Sequence, residues 1–108
     1  MCWRIEYLND AVKDLKKLDH SQKLQVLKAI EKVSTNPLPT SEGGYGKPLS
    51  NHSNIRLAGL QKIKLVNLGI RVVYKVIRTD SIMLIIVISV REDQKVYEIA
   101  DSRVNGSQ

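Results

Sequence analysis

The chain of 108 residues holds a single cysteine, Cys2, and two histidines, His20 and His52. One thiol cannot close an internal disulfide or build a cysteine-based zinc site, which fits a protein of a reducing compartment, the cytoplasm by default. The two histidines are too isolated to form an acid–base pair and read as turn and loop residues, His52 being the better placed of the two. Long apolar runs are also missing: the longest, Ile82 to Val90, covers nine residues with Ser89 inside it, too short to cross a bilayer. The segment Met-Cys-Trp-Arg-Ile-Glu-Tyr carries no apolar targeting core, so no membrane partner is expected. No internal repeat or low-complexity tract occurs. A hydrophobic content of 43% with 26% charged residues is globular and excludes a disordered tail, a collagen-like repeat and a coiled coil. At this length one domain over residues 1–108 with a modest core is expected.

The most informative absence is of negative charge. Between Glu42 and Asp80 there is no acidic residue, yet the interval carries Lys47, Arg56, Lys62, Lys64, Arg71, Lys75 and Arg78. The rest of the chain has ten positive and eleven negative side chains, so this one interval accounts for the whole net charge of +6. A localised basic segment on a small domain is the electrostatic footprint of a polyanion partner, most often nucleic acid, with acidic proteins and anionic membranes as the other classes.

Periodicity divides the chain into elements. Trp3, Ile5 and Tyr7 alternate with Arg4 and Glu6, the signature of a half-buried strand. Asn9 is a candidate cap for a helix with an apolar stripe of Val12, Leu15 and Leu18. Ser21 opens a second helix with a stripe of Leu24, Leu27, Ile30 and Val33, ended by Asn36-Pro37. All three prolines and three of the six glycines then fall between Asn36 and Asn54, which marks a long surface loop. Strand signals follow at Leu60 to Val66, Ile70 to Ile77 and Ile82 to Val90, joined closely enough to make an antiparallel meander. Val96, Ile99 and Ala100 indicate a short C-terminal helix. The fold class is therefore α+β, an antiparallel sheet with the N-terminal helix hairpin packed on one face, in the order β-α-α-β-β-β-α.

Strand parity orients the basic residues. Leu60, Lys62 and Lys64 share one face of their strand, and Arg71, Val73 and Lys75 share one face of the next. Coincidence of the apolar sides requires Ile63 opposite Val72 and therefore Lys64 opposite Arg71. Like charges facing one another on a sheet destabilise it, which points to an anion site, although a solvated face is the alternative. The strand from Ile82 to Val90 is apolar on both sides, so one side packs on the helix hairpin and the other needs cover from the C-terminal helix or a partner.

Three segments carry a resemblance. They are W-R-I-E-Y-L-N-D-A-V-K-D-L-K-K-L-D from Trp3, K-I-K-L-x-x-x-G-I-R-V-V-Y-K-V from Lys62 to Val76, and R-E-D-Q-K-V-Y-E-I-A from Arg91 to Ala100. On these the chain resembles the RelE toxins of bacterial type II toxin–antitoxin systems, within the RelE/ParE superfamily. The resemblance implies a ribosome-dependent endoribonuclease that cleaves the mRNA codon in the ribosomal A site, needs no cofactor or metal, and is neutralised by a cognate antitoxin protein. It implies a catalytic set of Lys62, Lys64, Arg71, Arg91 and Tyr97. The chain departs from the family pattern at Ser89-Val90, where a Gly-Lys is common, and in a longer loop before Lys62.

The roles follow from the chemistry of RNA cleavage, which must deprotonate the 2′-OH, stabilise the phosphorane and protonate the 5′-oxygen. Lys62 would act as base if Lys64 and Arg71 depress its pKa, Lys64 and Arg71 would hold the phosphate, Arg91 would serve the leaving group, and Tyr97 would stack on a base. Lys75, Arg56 and Lys47 are candidate RNA contacts, as is Tyr45 in the loop. Tyr74 points away from Lys62 and reads as core, and Cys2 as inert. Two other readings stay open, a gyrase-inhibiting toxin of the ParE type and a non-enzymatic nucleic-acid-binding member.

Overall fold

Alternation over Trp3 to Tyr7 does produce a strand, β1 (Arg4–Tyr7), with Trp3, Ile5 and Tyr7 turned toward a helix-covered core. A computed structural model describes residues 3–48, 60–90 and 93–106. Cys2, His52, Arg56 and Arg91 lie outside the described residues. Helix α1 (Asn9–Lys16) follows at once, capped at Leu8, so Asn9 is the first helical residue and not the cap. Helix α2 (His20–Ser34) opens one residue before Ser21 and is capped by Asp19. The Asp19 carboxylate accepts from the Gln22 backbone N–H at 2.8 Å and the Gln22 side chain accepts from the Asp19 N–H at 3.1 Å, a reciprocal box that satisfies two otherwise open donors.

The stripe of α2 also differs from expectation. The buried residues are Val26, Ile30 and Val33, while Leu24 and Leu27 are 48% and 39% exposed. Successive three-residue steps fall short of a turn by about 60° each, so a run from Leu24 to Val33 winds halfway around the helix. The mixed four- and three-residue spacing of Val26, Ile30 and Val33 stays on one side.

A 3-10 turn (Thr40–Glu42) and a two-residue strand, β2 (Lys47–Pro48), interrupt the loop, and β3 (Leu60–Leu65), β4 (Ile70–Ile77) and β5 (Ile82–Ser89) form the meander. The sheet order is β1-β5-β4-β3-β2. Three contacts are antiparallel; β1 lies on the far side of β5 and runs parallel to it, which departs from an all-antiparallel sheet. The expected register holds, with Ile63 opposite Val72 and Lys64 opposite Arg71. Gly69, at φ +66°, supplies the left-handed residue that ends the β3–β4 turn.

Apolar character on both faces of β5 has two causes. The β4–β5 register shifts so that Val73 faces Val87 while Tyr74 faces Ile85, leaving Ile86 as the extra residue of a bulge. Ile86 and Val87 thereby point to the same side, with Ile85 and Ile88 on the other. The second cause is a C-terminal helix longer than expected, α3 (Asp93–Gly106), which places Val96, Tyr97 and Ala100 over Ile86, Val87 and Val73. The helix hairpin covers the opposite face through Ala11, Val26, Ile30 and Val33. Tyr74 belongs to that hairpin-side core, its hydroxyl donating to the Pro37 carbonyl at 2.7 Å, and burial pushes that hydroxyl's pKa up.

Among the described residues the outer edge of β5 has no strand beside it beyond Ile85, because β1 ends at Tyr7. Two side chains take its place. Asp14 of α1 accepts from the Ile88 N–H at 3.1 Å, and Arg103 of α3 donates to the Ile86 carbonyl at 2.9 Å. The two close on each other at 2.7 Å, so one ion pair joins both helical layers to the sheet edge.

Candidate active site

The α3-side face of the sheet carries the basic residues in rows. Lys47 on β2 stands directly opposite Lys62 on β3, and Lys64 on β3 directly opposite Arg71 on β4. Strand spacing then sets four cationic stems within a patch about 7 Å along the strands and about 10 Å across them. Arg71 in turn faces Ser89 on β5. On β2, β3 and β4 the positions of this face hold no carboxylate and no imidazole among the described residues; the carboxylate of Glu6 stands on the same face but across the sheet on β1, paired with Arg4 at 3.0 Å. Lys47, Lys64 and Lys75 have no ion-pair partner there.

Lys62 is fixed from below. Its ammonium donates to the Tyr97 hydroxyl at 2.8 Å and lies 5.5 Å from the ring centroid, a contact between residues 35 apart in the chain. Tyr97 itself is 1% exposed in the α3-side core. Its ring therefore has no face open to a base in this arrangement, while its hydroxyl meets Lys62. The reason is the length and inward stripe of α3, which seals Tyr97 against Val73 and Val87.

Not every cation of the acid-free interval joins the group. Lys75 shares the face but stands four residues along β4 from Arg71, about 13 Å away, beside Leu60 and Leu84. Arg78 is turned to Glu42 in a two-pronged pair, 2.9 and 2.6 Å, which lowers the pKa of the Glu42 carboxyl and raises that of Arg78. The acidic residue that bounds the interval in sequence thus neutralises its last arginine in space.

Ser89 was not singled out as a site residue, and only the β4–β5 register signals it. Val90, at the position where the family pattern often has lysine, is 61% exposed.

An α+β sheet with a helix hairpin on one face, a terminal helix on the other and a converging row of lysine and arginine defines a small α+β protein with one strongly cationic sheet face. No family model matches the chain. It is 30% identical over 108 residues to an Escherichia coli protein described as a candidate RelE-like toxin, covering 96% of this chain and 99% of the relative. The chain belongs to the RelE-like toxin family of toxin–antitoxin systems.

Solved structures agree in fold. A double Arg-to-Ala mutant of the E. coli toxin RelE in the free state superposes with a TM-score of 0.73 at 24% identity, covering 96% of this chain and 99% of that one. The same mutant toxin in complex with a peptide of its antitoxin RelB gives 0.69 at 24% identity, over 93% and 95% of the two chains. The Mycobacterium tuberculosis toxin–antitoxin complex RelBE2 gives 0.66 at 23% identity, over 84% and 100%. Among the described residues no helix is long and apolar enough to cross a membrane.

Proposed function

We propose that this toxin is an endoribonuclease that cuts mRNA at the A-site codon of the ribosome, in the cytoplasm, and is silenced by a cognate antitoxin. The observation that carries the reading is the convergence of Lys47, Lys62, Lys64 and Arg71 on one sheet face, with Lys62 anchored by Tyr97. Antitoxin-bound relatives support the partner.

The reaction joins the 2′-oxygen to the neighbouring phosphorus and breaks the bond from phosphorus to the 5′-oxygen. Lys62, as the neutral amine and held in place by the Tyr97 hydroxyl, takes the 2′-OH proton and becomes the ammonium. Lys64 and Arg71, opposite one another, hold the non-bridging oxygens and stabilise the charge that grows on them; arginine's planar fork suits two of these oxygens at once. Arg91, assigned from its place in the family motif, stabilises the departing 5′-oxygen, which takes its proton from solvent water. Four cations and no imidazole on the strand face make a site rich in charge stabilisation and poor in proton transfer. Such a site depends on an external frame to align the 2′-oxygen with the phosphorus, and the ribosome supplies that frame.

Purified protein mixed with programmed ribosomes and a defined mRNA tests the reading by mapping of new 5′ ends. Cuts confined to the A-site codon, absent from free mRNA, are expected. Intact mRNA together with gyrase-linked DNA breaks in cells expressing the protein would replace this reading with the gyrase-inhibiting one.

A further inference from the structure

The loop before β2 is held far more tightly than a surface loop needs. Tyr45 N–H donates to the Asn36 carbonyl at 2.9 Å, Gly46 N–H to Leu38 at 3.0 Å, Gly44 N–H to Pro39 at 3.0 Å, and Thr40 N–H returns to Gly46 at 2.8 Å. A side chain at Gly44 would run into the Leu38 carbonyl, and one at Gly46 into the Tyr74 hydroxyl and the Pro37 carbonyl. What this rigid Gly-Tyr-Gly turn presents is an aromatic ring: Tyr45 is 51% exposed, with the Lys32 ammonium 5.5 Å from its centroid. An exposed ring on a fixed turn, with a cation already against its face, is the arrangement that stacks nucleobases.

The surroundings fit the same ligand. Tyr45 lines a cleft of about 270 Å³ together with Lys32, Lys47, Lys62, Lys64 and Ile63. β2 pairs with β3 only at Gln61 and Lys62, so among the described residues the outer edge of β3 from Ile63 to Leu65 has no strand beside it. The cleft runs over this edge and joins the Tyr45 side to the catalytic face, because Lys47 and Lys62 border both.

We propose that this cleft is a second RNA subsite, in which Tyr45 stacks a base of the single strand and Lys32 and Lys47 hold its phosphates, next to the nucleotides handled by Lys62, Lys64 and Arg71. The proposal rests on the RNA-cleavage reading for the identity of the strand, and the test separates the two.

Full-length protein is titrated against two labelled 2′-O-methyl RNAs that cannot be cut, a trinucleotide and a hexanucleotide, at low salt. Tyr45→Ala is expected to weaken hexanucleotide binding about tenfold, in the range of one lost base stack. It leaves trinucleotide binding within twofold, and Tyr45→Phe restores the hexanucleotide. Lys32→Gln lowers the salt dependence of hexanucleotide binding by about one unit of slope. Hexanucleotide binding that is absent, that is indifferent to Tyr45→Ala, or that a short DNA duplex displaces with equal affinity overturns the subsite. If ribosomes show no A-site cutting while the Tyr45-dependent affinity is present, the cleavage reading falls and the subsite stands.

Discussion

Arg103→Met is the perturbation whose cost the structure specifies most fully. Methionine keeps an apolar stem of similar length, so packing changes little and the loss reports on the guanidinium. Without it the Ile86 carbonyl, which belongs to the bulge and has no strand beside it among the described residues, loses its donor, worth about 1–3 kcal/mol for a buried group. Asp14 loses its cation while its side chain is only 13% exposed, and Arg103 is 19% exposed. Removing one partner of a fully buried pair costs about 3–5 kcal/mol; the residual exposure here admits water and draws the total down to about 2–3 kcal/mol. For a domain of this size that is a fall in Tm of roughly 10–20 °C. Urea and thermal unfolding of Arg103→Met, Asp14→Ala and the double variant measure it, with a coupling of about 1–2 kcal/mol expected from the cycle. The loss should persist in 1 M salt, because solvent ions screen this pair poorly. A loss under about 0.5 kcal/mol for Arg103→Met, or single costs that simply add, refutes the claim that this pair replaces a strand at the β5 edge.

Three more outcomes follow from the same geometry. Tyr97→Phe keeps the buried ring but removes the Lys62 anchor, so the cleavage rate should fall about tenfold with Tm nearly unchanged; an unchanged rate removes Tyr97 from the site. Ile30→Ala should cost about 2–4 kcal/mol in urea unfolding, whereas Leu24→Ala should cost under about 1 kcal/mol, which inverts if the stripe read from three-residue spacing is the true core face. Glu42 has a folded-state pKa below its ordinary 4.5 because Arg78 binds the carboxylate, so the stability it lends is present above about pH 4.5 and is lost as pH falls through the lower, folded value. Carboxyl NMR titration should show that midpoint return toward 4.5 in Arg78→Gln, and a midpoint indifferent to the substitution contradicts the pairing.

What the sequence made legible was whatever a short-range rule controls. Strand parity demanded that Lys64 face Arg71, since a one-residue slip buries charge, and that is the register found. The doubly apolar β5 signalled cover on both faces, and the helix hairpin supplies it on one and α3 on the other. Long-range choices were not legible. Nothing in Arg4 to Tyr7 says that it pairs parallel to a strand some 78 residues later, and two residues, Lys47 and Pro48, are too few to announce a strand. The bulge at Ile86 is hidden because every residue around it is aliphatic, so no polar alternation breaks to reveal it. Asp14 and Arg103, 89 residues apart, carry no local pattern that joins them; only the early end of β1 brings both to the β5 edge. The Lys62–Tyr97 contact could not be reached from either residue's local pattern, and the family motif grouped the two without indicating that the tyrosine would be sealed.

The most direct test of the account is single-turnover cleavage of ribosome-bound mRNA by the wild type and by Arg71→Ala, with both proteins confirmed as folded. The account predicts A-site cutting by the wild type and a rate at least about a hundredfold lower for Arg71→Ala, the loss of a charge-stabilising group aimed at the phosphorane. Equal rates for the two proteins, or no A-site cutting by the wild type, would contradict it.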